Sequence, residues 1–468
     1  MLSTAATNNT KQFRFLVLLA AISYLPTLTF YYVGEEAIFP ISSLEMWHQR
    51  DWIRQYLFGL NPQHNPLFNW LIMPFAALIG WEYVLQVART ITVTATLATG
   101  AVVGWLTWRL LRDATFAWFA ALVYLTLADV LLYRGWLAYV DPLFGFFVFT
   151  AIAMLWVACE ERRPALIALA VTSLTCAFMS KALTAYVFYG AAALVLMTAP
   201  PRRRVLLGTP SLLLHFAALL APVVWLSLIL GNSGQGGRLL SDILTKLVPQ
   251  GVSEYLQQLS GFPAETVLRL SPAILLVAYF ALRQRILITQ PFAPHLRVAL
   301  WIALLNYLPY WLSPHGAIRY LVPIYPLIGL ALALLLWCAG EQAMTTARNW
   351  LIGMIALKIV AVVLLFPYYQ SHYRGENYAL AARDIIERSA GHRLYTTNDS
   401  ASGLSVVGYI DAWRYPAPPI LWAPEQWESG FVIAQAAKSE LGAVAERYVL
   451  GGNELYLLCR GAACQPRP

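Results

Sequence analysis

FLVLLAAISYLPTLTFYYVG, which runs from Phe15 to Gly34, contains 20 residues without a charge and decides the class of fold. At a rise of about 1.5 Å per residue, a helix of this length crosses the roughly 30 Å hydrocarbon core of a bilayer. The whole chain has the same character, because 59% of its 468 residues are hydrophobic and only 12% are charged. Soluble domains carry about 25% charged residues. The sequence therefore predicts an integral membrane protein.

Further apolar runs of spanning length follow the first and predict an all-α polytopic domain of about 11 transmembrane helices. Short basic clusters recur at every second connection between these runs. Because positive charge marks the cytoplasmic side, we expect the N-terminus inside, and the connections 34–82, 133–141 and 313–317 and the C-terminus outside. This topology also explains the net charge of +8, so no nucleic-acid partner is expected.

The composition changes after Pro367, where apolar runs give way to mixed sequence. NYALAARDIIERS has the spacing of an amphipathic helix, whereas RLYTT, SVVGYI, FVIAQ and ELYLLCR are typical of short strands. We predict a transmembrane domain over 1–367, with a catalytic external loop at 34–82, and a small periplasmic α/β domain over 368–468. Cys459 and Cys464 could pair in an oxidising compartment, and the sequence leaves their pairing open.

Polar residues collect in the first predicted external loop. Glu35 and Glu36 lie where the chain leaves the first apolar run, and Arg54 and His64 follow them among several tryptophans. Carboxylates can act as general bases, and cations can stabilise a departing phosphate. Solvation of a helix end would by itself explain the acidic pair, so the functional interpretation depends on the neighbouring groups.

Three more polar groups are predicted on the same side of the membrane. Arg134 and Asp141 are seven residues apart, so a helix through both would place them on one face. Lys181 stands alone between two apolar runs and suits an anionic headgroup, although it could simply reach the interface. The last group, just before a proline-containing helix, consists of His315, Arg319 and Tyr320.

Together these groups suit the transfer of a sugar from a phosphate-linked lipid at the outer membrane face. The sequence contains no GxxxxGK[ST], GxGxxG, HExxH or CxxC pattern, so neither a nucleotide cofactor nor a metal site is predicted. The requirement for a divalent cation stays open.

The same segments resemble the polytopic GT-C type glycosyltransferases of the protein O-mannosyltransferase superfamily, which includes the bacterial lipid A aminoarabinose transferases. Members carry a pattern like DEAxY, GDW and (K/H)PPLxYWL, and this chain has EEAIF, RDWI and HNPLFNWL in the same order. The likeness continues through Arg134 to Asp141, through MSKAL and through RYLVPIYPLIGLAL. It covers roughly residues 10 to 340. The chain departs from the pattern at Glu35, where the family has Asp, and at Asn65, where it has Pro.

The resemblance implies a bacterial inner-membrane enzyme that uses an undecaprenyl-phosphate sugar and a lipid, glycan or protein acceptor.

 We expect a monomer in contact with membrane lipid. Either Glu35 or Glu36 would be the catalytic base, and Asp141 a second acid of the site. The residues expected to bind the lipid phosphate or the substrate are Arg54, His64, Arg134, Lys181, His315, Arg319 and Tyr320.

Two other functions remain open at this stage. A transporter or flippase for a lipid-linked saccharide would need ionisable residues deep within several helices, for which Asp129 and Lys358 are the main candidates. A noncatalytic scaffold for envelope assembly would depend on its external domain and not on the glutamates. The particular sugar and acceptor are not predicted.

Overall fold

The computed structural model describes residues 2–60, 65–230, 251–288 and 290–465. The chain divides into two compact units. The first, which we call the helical unit, comprises Met1–Tyr24, Val93–Trp136 and Val140–Ile359. The second, which we call the mixed unit, comprises Leu25–Thr92, Leu137–Tyr139 and Val360–Pro468. The first predicted external loop therefore clusters with the C-terminal segment. The division into a membrane domain over 1–367 and a periplasmic domain over 368–468 stays a prediction.

Helices dominate the described part of the chain. In order they are α1 (Leu2–Ile22), α2 (Ile38–Gln49), α3 (Leu67–Ile79), α4 (Val84–Leu111), α5 (Ala114–Leu125), α6 (Asp141–Glu161), α7 (Pro164–Ser180), α8 (Thr184–Met197), α9 (Pro200–Leu206), α10 (Thr209–Leu230), α11 (Val252–Arg269), α12 (Ala273–Arg283), α13 (Phe292–Leu312), α14 (Tyr325–Cys338), α15 (Glu341–Val360), α16 (Phe366–His372), α17 (Glu376–Arg388) and α18 (Ala401–Arg414).

Six helical segments in the described residues are long and apolar enough to cross a membrane, or seven if the bent pair of α11 and α12 is one span. A polytopic, mainly helical fold is thus confirmed, but the count of about 11 spans is not. The difference arises at runs predicted as spans that form shorter helices: α5 has 12 residues, α7 has 17 and α8 has 14. A straight span needs about 20.

The core of the helical unit surrounds α6. This helix is apolar on all sides, and 83% of its spanning window is buried, as expected for a helix enclosed by others. Phe149 and Trp156 of α6 are fully buried. Helices α7, α8 and α9 pack against α6, as does the 3-10 helix Ile318–Ile324 that precedes α14. The N-terminus of α6 is where the chain presents Asp141.

The mixed unit contains a five-stranded sheet in the order β2-β1-β3-β5-β4. Strand β1 runs parallel to β2 and β3, and β5 runs antiparallel to β3 and β4. The strands are β1 (Leu394–Thr396), β2 (Leu421–Trp422), β3 (Gly430–Ala434), β4 (Ala443–Leu450) and β5 (Asn453–Arg460). Cys459 at the end of β5 forms a disulfide with Cys464.

One predicted strand is wrong, because SVVGYI lies inside α18. Ser400 caps this helix by accepting the N–H of Gly403 at 3.3 Å, and such a cap favours helix initiation. Gly408 then permits close packing on Ala37, the residue before α2, since a Cβ at position 408 would lie 3.0 Å from the Cβ of Ala37. Capping and burial override the strand preference of the valines.

Candidate active site

The carboxylate of Glu36 is fully buried, and both of its oxygens accept hydrogen bonds from the protein. Its Oε1 accepts Arg89 Nε at 2.9 Å and the Ala138 N–H at 2.7 Å. Its Oε2 accepts Arg89 Nη2 at 2.6 Å and the Val33 N–H at 2.8 Å. Both ionic side chains have an exposed fraction of 0%. A carboxylate has about four acceptor sites, so these four hydrogen bonds occupy its capacity.

Arg89 extends the same closed network into the backbone. Its Nη1 donates to the carbonyl oxygens of Thr27 at 3.0 Å and Phe30 at 2.5 Å, and its Nη2 donates to that of Tyr31 at 2.8 Å. The guanidinium therefore fixes the segment that leads into the acidic pair. The sequence interpretation missed Arg89. Its signal was a single cation inside an apolar run, which in a membrane protein calls for an ionic partner.

Glu35 is exposed, in contrast to its neighbour. The preceding Gly34 has φ of +61°, a left-handed conformation that glycine adopts readily. A Cβ at Gly34 would also lie only 2.9 Å from the hydroxyl of Tyr139, which accepts the Glu35 N–H at 3.2 Å. This turn directs two consecutive carboxyl groups to different environments.

Asp51 organises the remainder of the first loop. Its Oδ1 accepts the N–H groups of Ile53 at 2.9 Å and Arg54 at 3.1 Å, and its Oδ2 accepts the Tyr56 hydroxyl at 2.8 Å. Partial burial raises the pKa of Asp51, but these hydrogen bonds and the Arg54 charge outweigh it and the net shift is downward. Arg54 thus lies beside an ionised carboxylate. His64 lies outside the described residues.

In the helical unit, Asp141 brings two cations together. Lys181 Nζ donates to Asp141 Oδ1, and Arg134 Nη1 lies 3.6 Å from Asp141 Oδ2. The three side chains are 10–19% exposed. A continuous helix does not join Arg134 to Asp141, since Asp129–Arg134 forms a π-helix and α6 begins at Asp141. The two side chains lie close together because of the turn between two helices, and not on one face of a single helix as expected.

Asp129 extends this arrangement into the interior. Its carboxylate lies 3.3 Å from Arg134 Nε, accepts from Arg269 Nη1, and accepts the Tyr325 hydroxyl at 3.0 Å. Lys181, Asp141, Arg134, Asp129 and Arg269 therefore form a chain of alternating charge. Arg269 is further neutralised by Glu265 at 2.7 Å. The sequence interpretation missed Arg269 and Tyr325, which are far from Asp129 along the chain.

The other end of this charged chain meets aromatic rings. Lys181 Nζ lies 5.1 Å from the ring centre of Tyr320 and 5.7 Å from that of Phe144. The guanidinium carbon of Arg319 lies 5.4 Å from the same Tyr320 ring, so Tyr320 contacts two cations. Arg319 and His315 are exposed. Among the described residues, no three His, Cys, Asp or Glu side chains cluster as a metal site.

No family model matches the chain. ArnT from Cupriavidus metallidurans bound to undecaprenyl phosphate matches with a TM-score of 0.69 and 13% identity over 97% of this chain and 99% of that one. The chain shares the fold of ArnT. The apo structure of that protein matches with a TM-score of 0.68 and 14% identity, covering 97% of this chain and 98% of ArnT.

This likeness to ArnT confirms the GT-C type of fold that the motif resemblance predicts. The arabinosyltransferase EmbB from Mycobacterium smegmatis also matches, with a TM-score of 0.48 and 14% identity over 87% of this chain and 41% of EmbB. At 13–14% identity, the likeness to ArnT establishes the fold.

Proposed function

We propose that this protein is an inverting glycosyltransferase that moves a sugar from a polyprenyl-phosphate donor to an acceptor at the outer face of a bacterial inner membrane. The observation that supports this most is the open cationic end at Lys181, on a fold shared with ArnT, which binds undecaprenyl phosphate. The hexose or pentose class of the sugar is left to experiment, as is the choice of a lipid, glycan or protein acceptor.

Lys181 is proposed to bind the donor phosphate. An ammonium group has three donors, and Asp141 is the acceptor that it contacts within the described ranges. Asp141 orients the ammonium, while Arg134 shares the same carboxylate at 3.6 Å. Arg319 and Tyr320 lie beside this end, and His315 lies close to them in sequence. In this proposal Asp141 is a positioning residue, because two cations already neutralise its charge.

Glu35 is proposed as the general base, and Glu36 as a positioning residue. A base needs unoccupied acceptor capacity within reach of the proton it removes. The exposed Glu35 can supply this, whereas the four hydrogen bonds to Glu36 leave it no capacity. Arg54 and His64 are proposed to assist in binding substrate.

The proposed reaction is a single displacement. The acceptor oxygen attacks the anomeric carbon, a new glycosidic C–O bond forms, and the C–O bond to the lipid phosphate breaks. The phosphate leaves with the bonding electron pair, stabilised by the cations. The acceptor proton passes to the Glu35 carboxylate. Attack from the opposite side of the anomeric carbon inverts its configuration.

The test is transfer of a radiolabelled sugar from polyprenyl phosphate by the purified full chain in lipid vesicles, with lipid, glycan and protein fractions as acceptors. We expect the label to enter one fraction in wild type and in the control variant Glu440→Gln, which alters an exposed carboxylate. Label that crosses the bilayer without leaving its lipid would contradict the proposal and support a transporter.

A further inference from the structure

The mixed unit contains a cavity that the proposed reaction does not use. Its volume is about 180 Å³, which is below the roughly 300–1,000 Å³ of pockets for drug-sized ligands. It therefore has room for one small ring or headgroup. The residues that determine its chemistry are Tyr31, Tyr32, Glu82, Gln86, Tyr409 and Trp413.

One wall of the cavity is aromatic and held in place. Tyr409 and Trp413 stack with ring centres 5.0 Å apart, and Tyr32 packs edge-on against Tyr409 at 4.7 Å. The Tyr32 N–H also donates to the Tyr409 hydroxyl at 3.2 Å. The guanidinium of Arg383 lies 5.2 Å from the Trp413 ring centre. These contacts fix a ring surface on which the C–H face of a sugar can pack.

The remaining polar groups of the cavity suit hydroxyl or amine donors. Glu82 is exposed and supplies acceptor oxygens. The side-chain oxygen of Gln86 is buried, and it has no hydrogen-bond partner among the residues that the structure describes. Buried polar atoms in folded proteins are nearly always paired. An unpaired oxygen at a cavity is therefore an acceptor for a ligand hydroxyl.

The charge of the lining argues against a phosphate-bearing ligand. The described residues that line the cavity include no lysine or arginine, and Glu82 would repel an anion. The donor of the proposed reaction carries phosphate, whereas the sugar rings of an acceptor need not. We propose that this cavity binds one uncharged or amine-bearing sugar ring of a glycan acceptor. The assignment to an acceptor rests on the proposed function, but the recognition of a sugar ring does not.

The proposal is tested by saturation-transfer NMR on the full chain in lipid nanodiscs. The probes are methyl β-glucopyranoside, the corresponding methyl glucosaminide, glucose 1-phosphate and choline. We expect saturation transfer to the methyl glucoside and the methyl glucosaminide. Trp413→Ala should reduce the affinity for both about tenfold because the stacking surface is lost. Gln86→Leu removes the acceptor at similar volume and should weaken binding without loss of folding.

Trp427→Ala is the matched control. Trp427 is also half-buried, with a tyrosine ring at 5.8 Å and the Arg460 guanidinium at 5.5 Å, but it lies outside the cavity. Binding should survive in this variant and in Glu35→Gln. Equal binding by wild type and Trp413→Ala, or saturation of choline or glucose 1-phosphate alone, would overturn the proposal. If the wild-type protein binds the sugars but transfers no label, the proposal of a sugar-binding cavity stands and the proposed function is refuted.

Discussion

Glu36 with Arg89 and Asp141 with Lys181 are ion pairs of the same chemistry in two different environments. The first pair has both side chains at 0% exposure, and every acceptor site of the carboxylate is occupied. In the second pair Lys181 is 19% exposed and Asp141 is 10% exposed. Asp141 holds two cations, and the ammonium ends against aromatic rings rather than a second carboxylate.

This difference separates an ion pair that maintains structure from one that can bind a ligand. Two buried charges are costly to desolvate, and they are tolerated only when each satisfies the other. A partly exposed ammonium keeps donors for an external anion. The fully buried Glu36–Arg89 pair, here called the closed pair, therefore positions the turn at Gly34. The partly exposed Asp141–Lys181 pair, here called the open pair, is available to bind phosphate.

The largest effect is expected from breaking the closed pair. Arg89→Met leaves the Glu36 carboxylate buried without its cation, which should lower the free energy of unfolding by about 3–5 kcal/mol. Thermal unfolding in detergent measures the loss. The double variant Arg89→Met/Glu36→Gln should recover part of it, because the uncompensated charge is gone but the three backbone carbonyl oxygens have still lost the Arg89 donor. A single variant as stable as wild type would show that the pair is not structural.

Glu45, a buried carboxylate of α2, should make stability depend on pH. Burial raises the pKa of Glu45 to about 7, although it accepts the N–H groups of Gly59 and Phe58. The folded state therefore binds a proton more tightly than the unfolded state, so stability is present at low pH and is lost as pH rises. Full ionisation would cost up to about 3 kcal/mol.

Melting temperatures from pH 5.5 to 8.5 test this expectation. Wild type should lose stability over this range, and Glu45→Gln should flatten the curve. Asp411 adds to the remaining slope, because burial also raises its pKa. A wild-type curve that rises toward pH 8.5 would contradict the assignment.

The open pair should matter more for turnover than for stability. Lys181→Ala removes a donor to the leaving phosphate and should reduce turnover about 100-fold, with a much smaller change in melting temperature than Arg89→Met. Lys181→Arg keeps the charge and should recover part of the rate. The control Lys438→Ala removes an exposed lysine, 4.0 Å from Glu440, and should leave turnover unchanged.

The sequence predicted the class of fold because spanning runs and basic clusters are local signals. It predicted Arg134 and Asp141 on one helix face and Lys181 on the same side of the membrane, whereas the contacts among the three side chains come from the tertiary structure. The prediction of a strand at SVVGYI was wrong because the valine-rich pattern carries no information about the cap at Ser400 or the packing at Gly408.

The difference between the two glutamates could not be predicted from local sequence. It depends on Arg89, which lies 53 residues beyond Glu36, and on the Ala138 N–H, which lies 102 residues beyond it. Both glutamates follow the left-handed Gly34, and no periodicity of the local sequence distinguishes one from the other. The assignment of the base therefore required the tertiary contacts.

The most direct test of the account compares Glu35→Gln and Glu36→Gln in parallel, by initial rate of sugar transfer and by melting temperature. We expect Glu35→Gln to melt like wild type and to transfer sugar about 100-fold to 10,000-fold more slowly, which is the usual effect of losing a general base. Glu36→Gln should lower the melting temperature, in contrast to Glu35→Gln. Full activity in Glu35→Gln, measured with a donor that wild type uses, would contradict the account.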